Sequence, residues 1–273
     1  MQTVPTATVL TIAGFDPSSG AGVTADLLVF AAHGLFGISC ITSLTVQSTL
    51  GVRSSHSVEP RIIAETLACL NDDLPPAGIK IGMLGTADAV ETIAVFLEDF
   101  KGRGSNSPIV LDPVLRSSSG RELLDPRGVD LLQSRLLSLA DWITPNLDEL
   151  SILSGQPVAN RDQMISAARS LQSGLAKEIN VLVTGGHLNP PDDLLLTAKG
   201  TEHWLAGEHI ATRSTHGTGC ALSSALLSRL VLGDEALAAA QAAKHYVTEA
   251  LRSATPIGHG KGPMNHLWPL RRG

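Results

Sequence analysis

The feature of this chain that most constrains its fold is a regular alternation of short apolar runs with longer amphipathic stretches. Runs such as TVLTIAG (8–14) and PIVLDPV (108–114) are continuous and aliphatic, which is typical of strands buried on both faces of a parallel sheet. Stretches such as GVTADLLVFAAHG (22–34) place apolar residues at helical spacing. The alternation predicts βαβ units, and therefore a wound α/β fold around a mostly parallel central sheet.

The other predicted elements continue this alternation to the C-terminus. Further strands are predicted at 38–48, 78–84, 141–146 and 180–187, with a hairpin-like pair at 193–198 and 201–207. Further helices are predicted at 61–73, 87–100, 127–140, from Asn146 through Leu153, and at 162–173, 217–232 and 235–252. Because there is no repeat and no long linker, we expect a single domain over residues 1–273.

Composition excludes several classes of protein. Hydrophobic residues make up 43% of the chain but aromatic residues only 3%, so the core must be aliphatic. The formal net charge is −6 and no basic run is present, which argues against a nucleic-acid or anionic-membrane surface. A small-molecule substrate is the expected partner, because a local site can bind one whatever the net charge.

The cysteines and the N-terminus indicate the compartment. Cys40, Cys69 and Cys220 form no CxxC pair and no even set, which fits free thiols in a reducing environment. The N-terminus lacks a basic region followed by a long apolar stretch, and no run of 18 apolar residues occurs. We therefore expect a cytoplasmic protein without a membrane span.

Polar and glycine residues follow most of the predicted strands. Ligands of open α/β sheets bind outside the carboxyl ends of the strands, so these residues are candidates for a site. They are Gly14, Asp16, Met83, Asp112, Thr144, Asn146, Glu149, Gly185 and Gly186. The first turn, DPSSGAGVTADL (16–27), has neither the GK[ST] ending of a Walker motif nor a GxGxxG, which disfavours a conventional P-loop and a dinucleotide fold.

The segment TPNLDEL (144–150) allows two interpretations. Asn146 and Glu149 are three residues apart, so at a helix start they share one face and suit a hydrated Mg²⁺. The same spacing is that of a capping box, in which Asn146 caps the helix and Glu149 completes the arrangement. The local pattern alone favours the cap over the metal site.

The segment STHGTGC (214–220) opens a predicted helix and carries Cys220. Backbone N–H groups at a helix N-terminus bind anions, and the same field is expected to lower the pKa of Cys220. The alternative for Cys220 is a buried, inert cysteine beside a tight turn. Cys40 and Cys69 lie inside apolar patterns, and we interpret both as inert. Because the histidines have no HxxxH or HExxH spacing, a zinc site is not expected.

Eight motifs in order resemble the hydroxymethylpyrimidine/phosphomethylpyrimidine kinases of the ribokinase-like superfamily. They are TIAGFDPSSGAGVTADL, TVQSTLGV, KIGML, VLDPV, TPNLDEL, VTGGH, HGTGC and GKGPMNH, and they cover nearly the whole chain. The resemblance implies a three-layer α/β/α sandwich with a small β-flap and a homodimer. It also implies ATP and Mg²⁺ as cofactors, with phosphoryl transfer to an alcohol and then to its monophosphate in thiamine biosynthesis.

The resemblance also assigns roles to individual residues. Substrate contacts fall to Gly14, Asp26, Gln47 and Met83, and the amide of Gln47 can offer an acceptor and a donor to an aminopyrimidine. The anion hole and the catalytic base fall to Gly217, Thr218, Gly219 and Cys220. Cofactor contacts fall to Asn146, Thr184 and Gly186, and metal contacts to Asp112 and Glu149. The adenine pocket is expected between residues 207–215 and the last two helices.

Three other functions remain open from the sequence. A pyridoxal kinase of the same superfamily would use the same chemistry on a different ring, although Gln47 favours the pyrimidine. A ligand-binding relative without activity is disfavoured by the presence of Asp112, Asn146, Glu149 and Cys220. A thiol-dependent hydrolase would use Cys220 as its nucleophile, but no histidine is visibly placed to assist it.

Overall fold

The computed structural model describes residues 6–117, 120–186 and 188–271. Its strands form one nine-stranded sheet in the order β3-β2-β1-β4-β5-β6-β7-β8-β9. The strands are β1 (Thr8–Phe15), β2 (Phe36–Ser48), β3 (Gly51–Ser57), β4 (Ile79–Ile81), β5 (Ile109–Leu111), β6 (Trp142–Ile143), β7 (Asn180–Val183), β8 (Asp193–Leu196) and β9 (Glu202–Leu205).

The helices fall between these strands and at the end of the chain. They are α1 (Gly22–Ala32), α2 (Pro60–Asp73), α3 (Ala87–Gly102), α4 (Pro126–Leu131), α5 (Leu137–Leu139), α6 (Leu147–Ser154), α7 (Arg161–Ser173), α8 (Thr218–Val231) and α9 (Ala236–Arg252). A π-helical segment, Leu132–Leu136, joins α4 to α5, and a 3₁₀ turn spans Trp268–Arg271. Within the described ranges, none of these helices is long and apolar enough to cross a membrane.

The pairing of the strands confirms an α/β fold with a mostly parallel sheet. The strands β2, β1, β4, β5, β6 and β7 pair in parallel, whereas β3, β8 and β9 pair antiparallel with their neighbours. The predicted hairpin-like pair is confirmed as β8 and β9, with Leu194 opposite Trp204. The parallel order brings the carboxyl ends of β1, β4, β5, β6 and β7 to one edge of the sheet.

Each face of the sheet packs against its own apolar cluster. Successive side chains of a strand point to opposite faces, so Leu10 of β1 joins one cluster while its neighbour Val9 joins the other. The first cluster includes Leu97 of α3, and the second includes Phe30 of α1 and Leu226 of α8. Burial on both faces explains why the strands read as continuous aliphatic runs.

Several strands are shorter than the sequence predicts. The runs 78–84, 108–114, 141–146 and 180–187 contain strands of three, three, two and four residues. Pro113 and Pro145 follow two of them and lack the N–H that a strand ladder needs, so the chain leaves the sheet there. The predicted helix 127–140 is interrupted by the π-helical segment.

The second half of β2 and all of β3 form an antiparallel hairpin at the edge of the sheet, which we call the flap (residues 43–57). The sequence of β3 is largely polar, so the hydrophobic pattern did not predict it as a separate strand. Three apolar side chains of the flap are exposed, namely Leu44 (49%), Val46 (50%) and Leu50 (69%). The flap therefore presents an apolar surface to the outside.

Candidate active site

Gly14 and Met83 meet at the carboxyl edge of the sheet, where β1 and β4 end. A side chain on Gly14 would place its Cβ 2.9 Å from the Met83 sulfur, so the glycine leaves room for the methionine. The hydroxyl of Thr42 in β2 donates to the backbone oxygen of Met83 at 2.6 Å. Two predicted substrate residues therefore lie together, and β2 holds one of them in place.

The turn before α8 depends on a glycine. Gly217 has φ +79°, a conformation that disfavours side chains, and it is the N-cap residue of α8. A Cβ at this position would lie 1.8 Å from the carbonyl oxygen of Gly20, so the turn packs directly against the β1–α1 turn. No described side chain caps α8, and anion binding at this helix N-terminus stays a prediction.

Cys220 lies in the first turn of α8, but its protonation differs from the prediction. Burial raises the pKa of the Cys220 thiol to about 12, and this outweighs the favourable charge of Lys80 and the backbone N–H of Gly22. The carboxylates of Asp112 and Asp26 raise the pKa further. The expected lowering of the pKa is therefore wrong for the protein alone, even though Cys220 as a residue is partly exposed to solvent.

Asp112 and Glu149 form a pair of buried carboxyl groups. Asp112 follows β5 and accepts a hydrogen bond from Ser223 of α8 at 3.2 Å. Burial raises its pKa to about 6, although Lys80 opposes this effect. Burial, followed by the charge of Asp112, raises the pKa of Glu149 to about 8. A buried carboxyl group whose ionisation is opposed by a neighbouring carboxylate is suited to sharing a cation with it.

Asn146 and Glu149 form the capping box that the local sequence pattern favours. The Asn146 side chain accepts from the backbone N–H of Glu149 at 2.9 Å, and Glu149 accepts from the backbone N–H of Asn146 at 3.0 Å. The cap interpretation is therefore confirmed. In the described part of the chain, no three His, Cys, Asp or Glu side chains are grouped as a metal site. Metal binding by Glu149 stays a prediction.

Thr184 lies beside Asn146, as expected if both contact one cofactor. Its backbone N–H donates to the carbonyl of Pro145 at 3.0 Å, which joins the end of β7 to the end of β6. Gly186 is exposed, and a Cβ placed there would meet no atom within 4 Å. The adjacent His187 of the VTGGH motif lies outside the described residues.

Asp26 is buried behind the ends of the strands, and its contact with the substrate stays a prediction. It is 0% exposed and accepts from the hydroxyls of Thr11 at 2.6 Å and Ser224 at 2.8 Å. The ammonium of Lys80, also 0% exposed, lies 3.1 Å and 2.9 Å from its two carboxylate oxygens. Both carboxylate oxygens of Asp26 accept hydrogen bonds from protein donors, so Asp26 helps to hold the surrounding elements in place.

Lys80 is a residue that sequence reasoning missed. Burial disfavours its charged form, but Asp26 outweighs this and raises the pKa, so Lys80 stays charged. A Cβ on Gly82 would lie 2.8 Å from the Lys80 nitrogen, so the glycine makes room for a fixed ammonium. The available signal was a lysine in the middle of a short apolar strand, IKI, where a charge needs a buried partner.

Gln47 contacts His216, which the sequence did not single out, and His216 in turn contacts the predicted candidate Asp16. Its amide nitrogen, as placed, is 2.8 Å from Nε2 of His216, which is 2.7 Å from a carboxylate oxygen of Asp16. Asp16 also accepts from the backbone N–H and the hydroxyl of Ser18. For His216, the available signal was a histidine directly before the glycine turn.

An open cleft of about 500 Å³ lies where the sequence places the adenine pocket. It is formed between a loop before α8 and the end of α9 with the segment that follows. Its lining residues are Ile210, Ala211, Thr212, Arg213, Leu251, Arg252, Ala254 and Pro256. Whether adenine binds there stays a prediction.

The buried ion pair generates a prediction about stability. We expect Asp26→Asn to lower the free energy of unfolding by roughly 3–5 kcal/mol, because it leaves the Lys80 ammonium buried without a counter-charge. The double variant Asp26→Leu/Lys80→Met should recover most of this loss, since it removes both charges. Urea unfolding measures both changes. Glu65→Gln, which breaks the exposed pair between Arg61 and Glu65, is the matched control and should cost little. A double variant as unstable as Asp26→Asn would contradict this account.

The raised pKa of Glu149 predicts a pH dependence. The fold favours protonated Glu149, so its stabilising contribution is complete below the pKa of the unfolded chain and is lost as the pH rises toward about 8. In EDTA, we expect Glu149→Gln to match the unsubstituted protein near pH 5. Near pH 8 the variant should be more stable by on the order of 3 kcal/mol.

Urea unfolding from pH 5 to 8 measures this difference. The control is Asp162→Asn, an exposed acid in the first turn of α7, which should show no such trend. A constant difference between Glu149→Gln and the unsubstituted protein across this range would show that Glu149 is ionised throughout.

Comparison with known proteins adds an independent observation. The family described as phosphomethylpyrimidine kinase matches residues 16–265. A hydroxymethylpyrimidine/phosphomethylpyrimidine kinase from Haemophilus influenzae is 41% identical over 269 residues, which cover 97% of this chain and 97% of the relative. The thiamine biosynthesis bifunctional protein ThiED from Geobacter sulfurreducens is 38% identical over 264 residues, and the chain spans about half (53%) of its length.

Solved structures agree with the sequence relatives. Phosphomethylpyrimidine kinase from Clostridium difficile aligns with a TM-score of 0.78 at 36% identity, covering 89% of this chain and 99% of that chain. Pyridoxal kinase from Bacillus subtilis, in an ADP complex, aligns with a TM-score of 0.86 at 31% identity, covering 98% of this chain and 100% of that chain. From its sequence and its structure, the chain belongs to the phosphomethylpyrimidine kinase family.

Proposed function

We propose that this chain transfers the γ-phosphoryl group of ATP to 4-amino-5-hydroxymethyl-2-methylpyrimidine and then to its monophosphate, forming the diphosphate for thiamine biosynthesis. One observation carries the proposal. The ring-binding candidates Gly14, Gln47 and Met83 and the glycine turn with Cys220 are gathered around the β1–α1 turn at the carboxyl edge of the sheet. The kinase names of the full-length relatives support the same reaction.

The proposal includes the architecture around the site. Apolar clusters on opposite strand faces support a three-layer α/β/α sandwich, and the continuous sheet supports a single domain over residues 1–273. The exposed apolar side chains Leu44, Val46 and Leu50 support a homodimer formed through the flap. We place the protein in the cytoplasm on the sequence grounds given above.

The nucleotide is proposed to lie between the open cleft and the glycine turn. The adenine would occupy the cleft beside Arg213, while Asn146, Thr184 and Gly186 would contact the phosphates. The N-terminus of α8 would stabilise the negative charge on the transferring group, which is the main requirement of phosphoryl transfer. The ADP complex of the Bacillus subtilis relative supports nucleotide binding by this fold.

Asp112 and Glu149 have the chemistry of a Mg²⁺ site. Both are buried carboxyl groups with raised pKa values, and a divalent cation would offset the repulsion that raises the pKa of Glu149. We propose that these two side chains hold Mg²⁺ together with water and ATP oxygens. When bound, Mg²⁺ would neutralise phosphate charge and also reduce the effect of Asp112 on the Cys220 thiol.

Cys220 is proposed as the group that accepts the proton of the substrate alcohol. In this reaction the alcohol oxygen bonds to the γ-phosphorus, the bond to the β-phosphate oxygen breaks, and ADP leaves. A neutral thiol cannot accept a proton, so the pKa of about 12 must fall when the site fills. Lys80 and the Gly22 N–H are the chain's own groups that favour the thiolate.

Pyridoxal phosphorylation is the second candidate activity. The observation that favours it is the structural similarity to the Bacillus subtilis pyridoxal kinase, which covers almost all of both chains. The same glycine turn and carboxylates would serve either alcohol. The ring-binding residues, and Gln47 in particular, must then decide between the two substrates.

The first test is ATP consumption with Mg²⁺ in the presence of hydroxymethylpyrimidine, its monophosphate or pyridoxal at equal concentration. We expect turnover on both pyrimidines, because Gln47 can pair with an aminopyrimidine edge. Turnover on pyridoxal alone would replace the proposal with the second candidate. No ATP consumption with any of the three substrates would overturn the proposed kinase function of this chain.

The role of Cys220 is tested by substitution. We expect Cys220→Ala and Cys220→Ser to lower kcat by about 100-fold or more, because neither side chain can take up the alcohol proton near neutral pH. The KM for ATP should change little. Cys69→Ala, at an exposed cysteine in α2, is the matched control and should keep full turnover. Full turnover by Cys220→Ala would remove Cys220 from the mechanism.

A further inference from the structure

Three separate segments of the chain meet at the imidazole of His216. Asp16 belongs to the β1–α1 turn, Gln47 to the flap, and His216 to the turn that precedes Gly217. The side chains of His216 and Asp16 are only 13% and 4% exposed. A flap residue is therefore tied, through one ring, to the turn that opens α8.

The protonation of Asp16 determines which group donates and which accepts in the contact with His216. Burial raises the pKa of Asp16, but hydrogen bonds from His216 and Ser18 outweigh burial and hold the pKa below its usual value. Asp16 is thus an ionised acceptor, and Nε2 of His216, 2.7 Å away, must carry the proton that it accepts. The same N–H also faces the amide of Gln47 at 2.8 Å.

A donor at Nε2 fixes the orientation of the Gln47 amide. The two ends of a glutamine amide are assigned from their partners, and an N–H of His216 requires the amide oxygen opposite it. The amide nitrogen then faces the hydroxyl of Thr45, which is 3.2 Å from the other end of the amide. Thr45 donates to the carbonyl of Phe15 at 2.9 Å, so its oxygen is able to accept from Gln47.

We propose that His216 is a positioning residue for substrate selection, because it fixes the orientation of the Gln47 amide. In that orientation, one lone pair of the Gln47 amide oxygen and one N–H of its amide nitrogen face the substrate ring in a defined arrangement. An aminopyrimidine edge offers an amino donor beside a ring-nitrogen acceptor, which complements this pair. A ring without the amino group leaves the Gln47 oxygen unpaired and binds less well. This inference rests on the proposed function, because it assigns Gln47 to the ring.

The test measures the preference for the amino group. Calorimetry gives the Kd of 4-amino-5-hydroxymethyl-2-methylpyrimidine and of the analogue that lacks the 4-amino group, and their ratio is the amino preference. We expect His216→Leu to lower this preference about tenfold, because the freed Gln47 amide can rotate. His216→Gln should retain most of it, since its terminal amide N–H can replace the N–H of Nε2. His56→Leu, at an exposed histidine of the flap, should leave it unchanged.

A double-mutant cycle separates positioning from a general structural role. In a Gln47→Ala background, His216→Leu should have no further effect on the amino preference, since His216 acts through Gln47. Loss of affinity for both alcohols in equal proportion, or a further loss of preference in that background, would overturn the inference. Should His216→Leu fail to fold, Asp16→Asn provides the second variant and is expected to lower the preference several-fold.

Failure of the proposed function gives a different result. If the unsubstituted protein binds neither alcohol, the pyrimidine kinase function is wrong and this inference falls with it. If it binds both alcohols and His216→Leu keeps the full amino preference, this inference alone is wrong.

Discussion

The buried ion pair between Lys80 and Asp26 is the interaction on which the rest of the site depends. With Thr11 and Ser224 it connects β4, α1, β1 and α8, the elements whose ends carry the proposed ring contacts and the anion turn. Buried charges are costly unless they are fully paired, and here each carboxylate oxygen has protein donors. The network therefore specifies one arrangement of these four elements. The charge of Lys80 also acts on Cys220, where it favours the thiolate form.

The ionisable groups of the site bear on which ligand charges it can accommodate. Asp112, Glu149 and Cys220 all have raised pKa values, so the protein alone opposes the ionisation of each group. Among the described residues, the one lysine or arginine buried there is Lys80, and Asp26 already pairs with it. A nucleotide would add further negative charge. The Mg²⁺ that we propose would offset this excess of negative charge.

Apart from β3 and the π-helical segment, the sequence was sufficient for the elements and for the edge of the sheet where polar residues gather, because burial on both faces imposes apolar runs and helical spacing. Strand lengths were overestimated, since apolar patterning continues past the point where Pro113 or Pro145 ends the ladder. The capping box was predictable from local spacing. The pKa of Cys220 and the contacts of His216 were not, because both depend on groups far apart in the chain that only the fold brings together.

The close approach between Gly82 and the Lys80 nitrogen has a consequence for how this family varies. A side chain at residue 82 would occupy the space of the ammonium, which its bond to Asp26 prevents from moving aside. Substitution of Gly82 by a larger residue is therefore unfavourable while Lys80 is present. We expect lineages that lose the glycine to have already lost the lysine, and with it the acid at residue 26. Positions 26, 80 and 82 should then change together across homologous sequences, although one of them is distant from the other two along the chain.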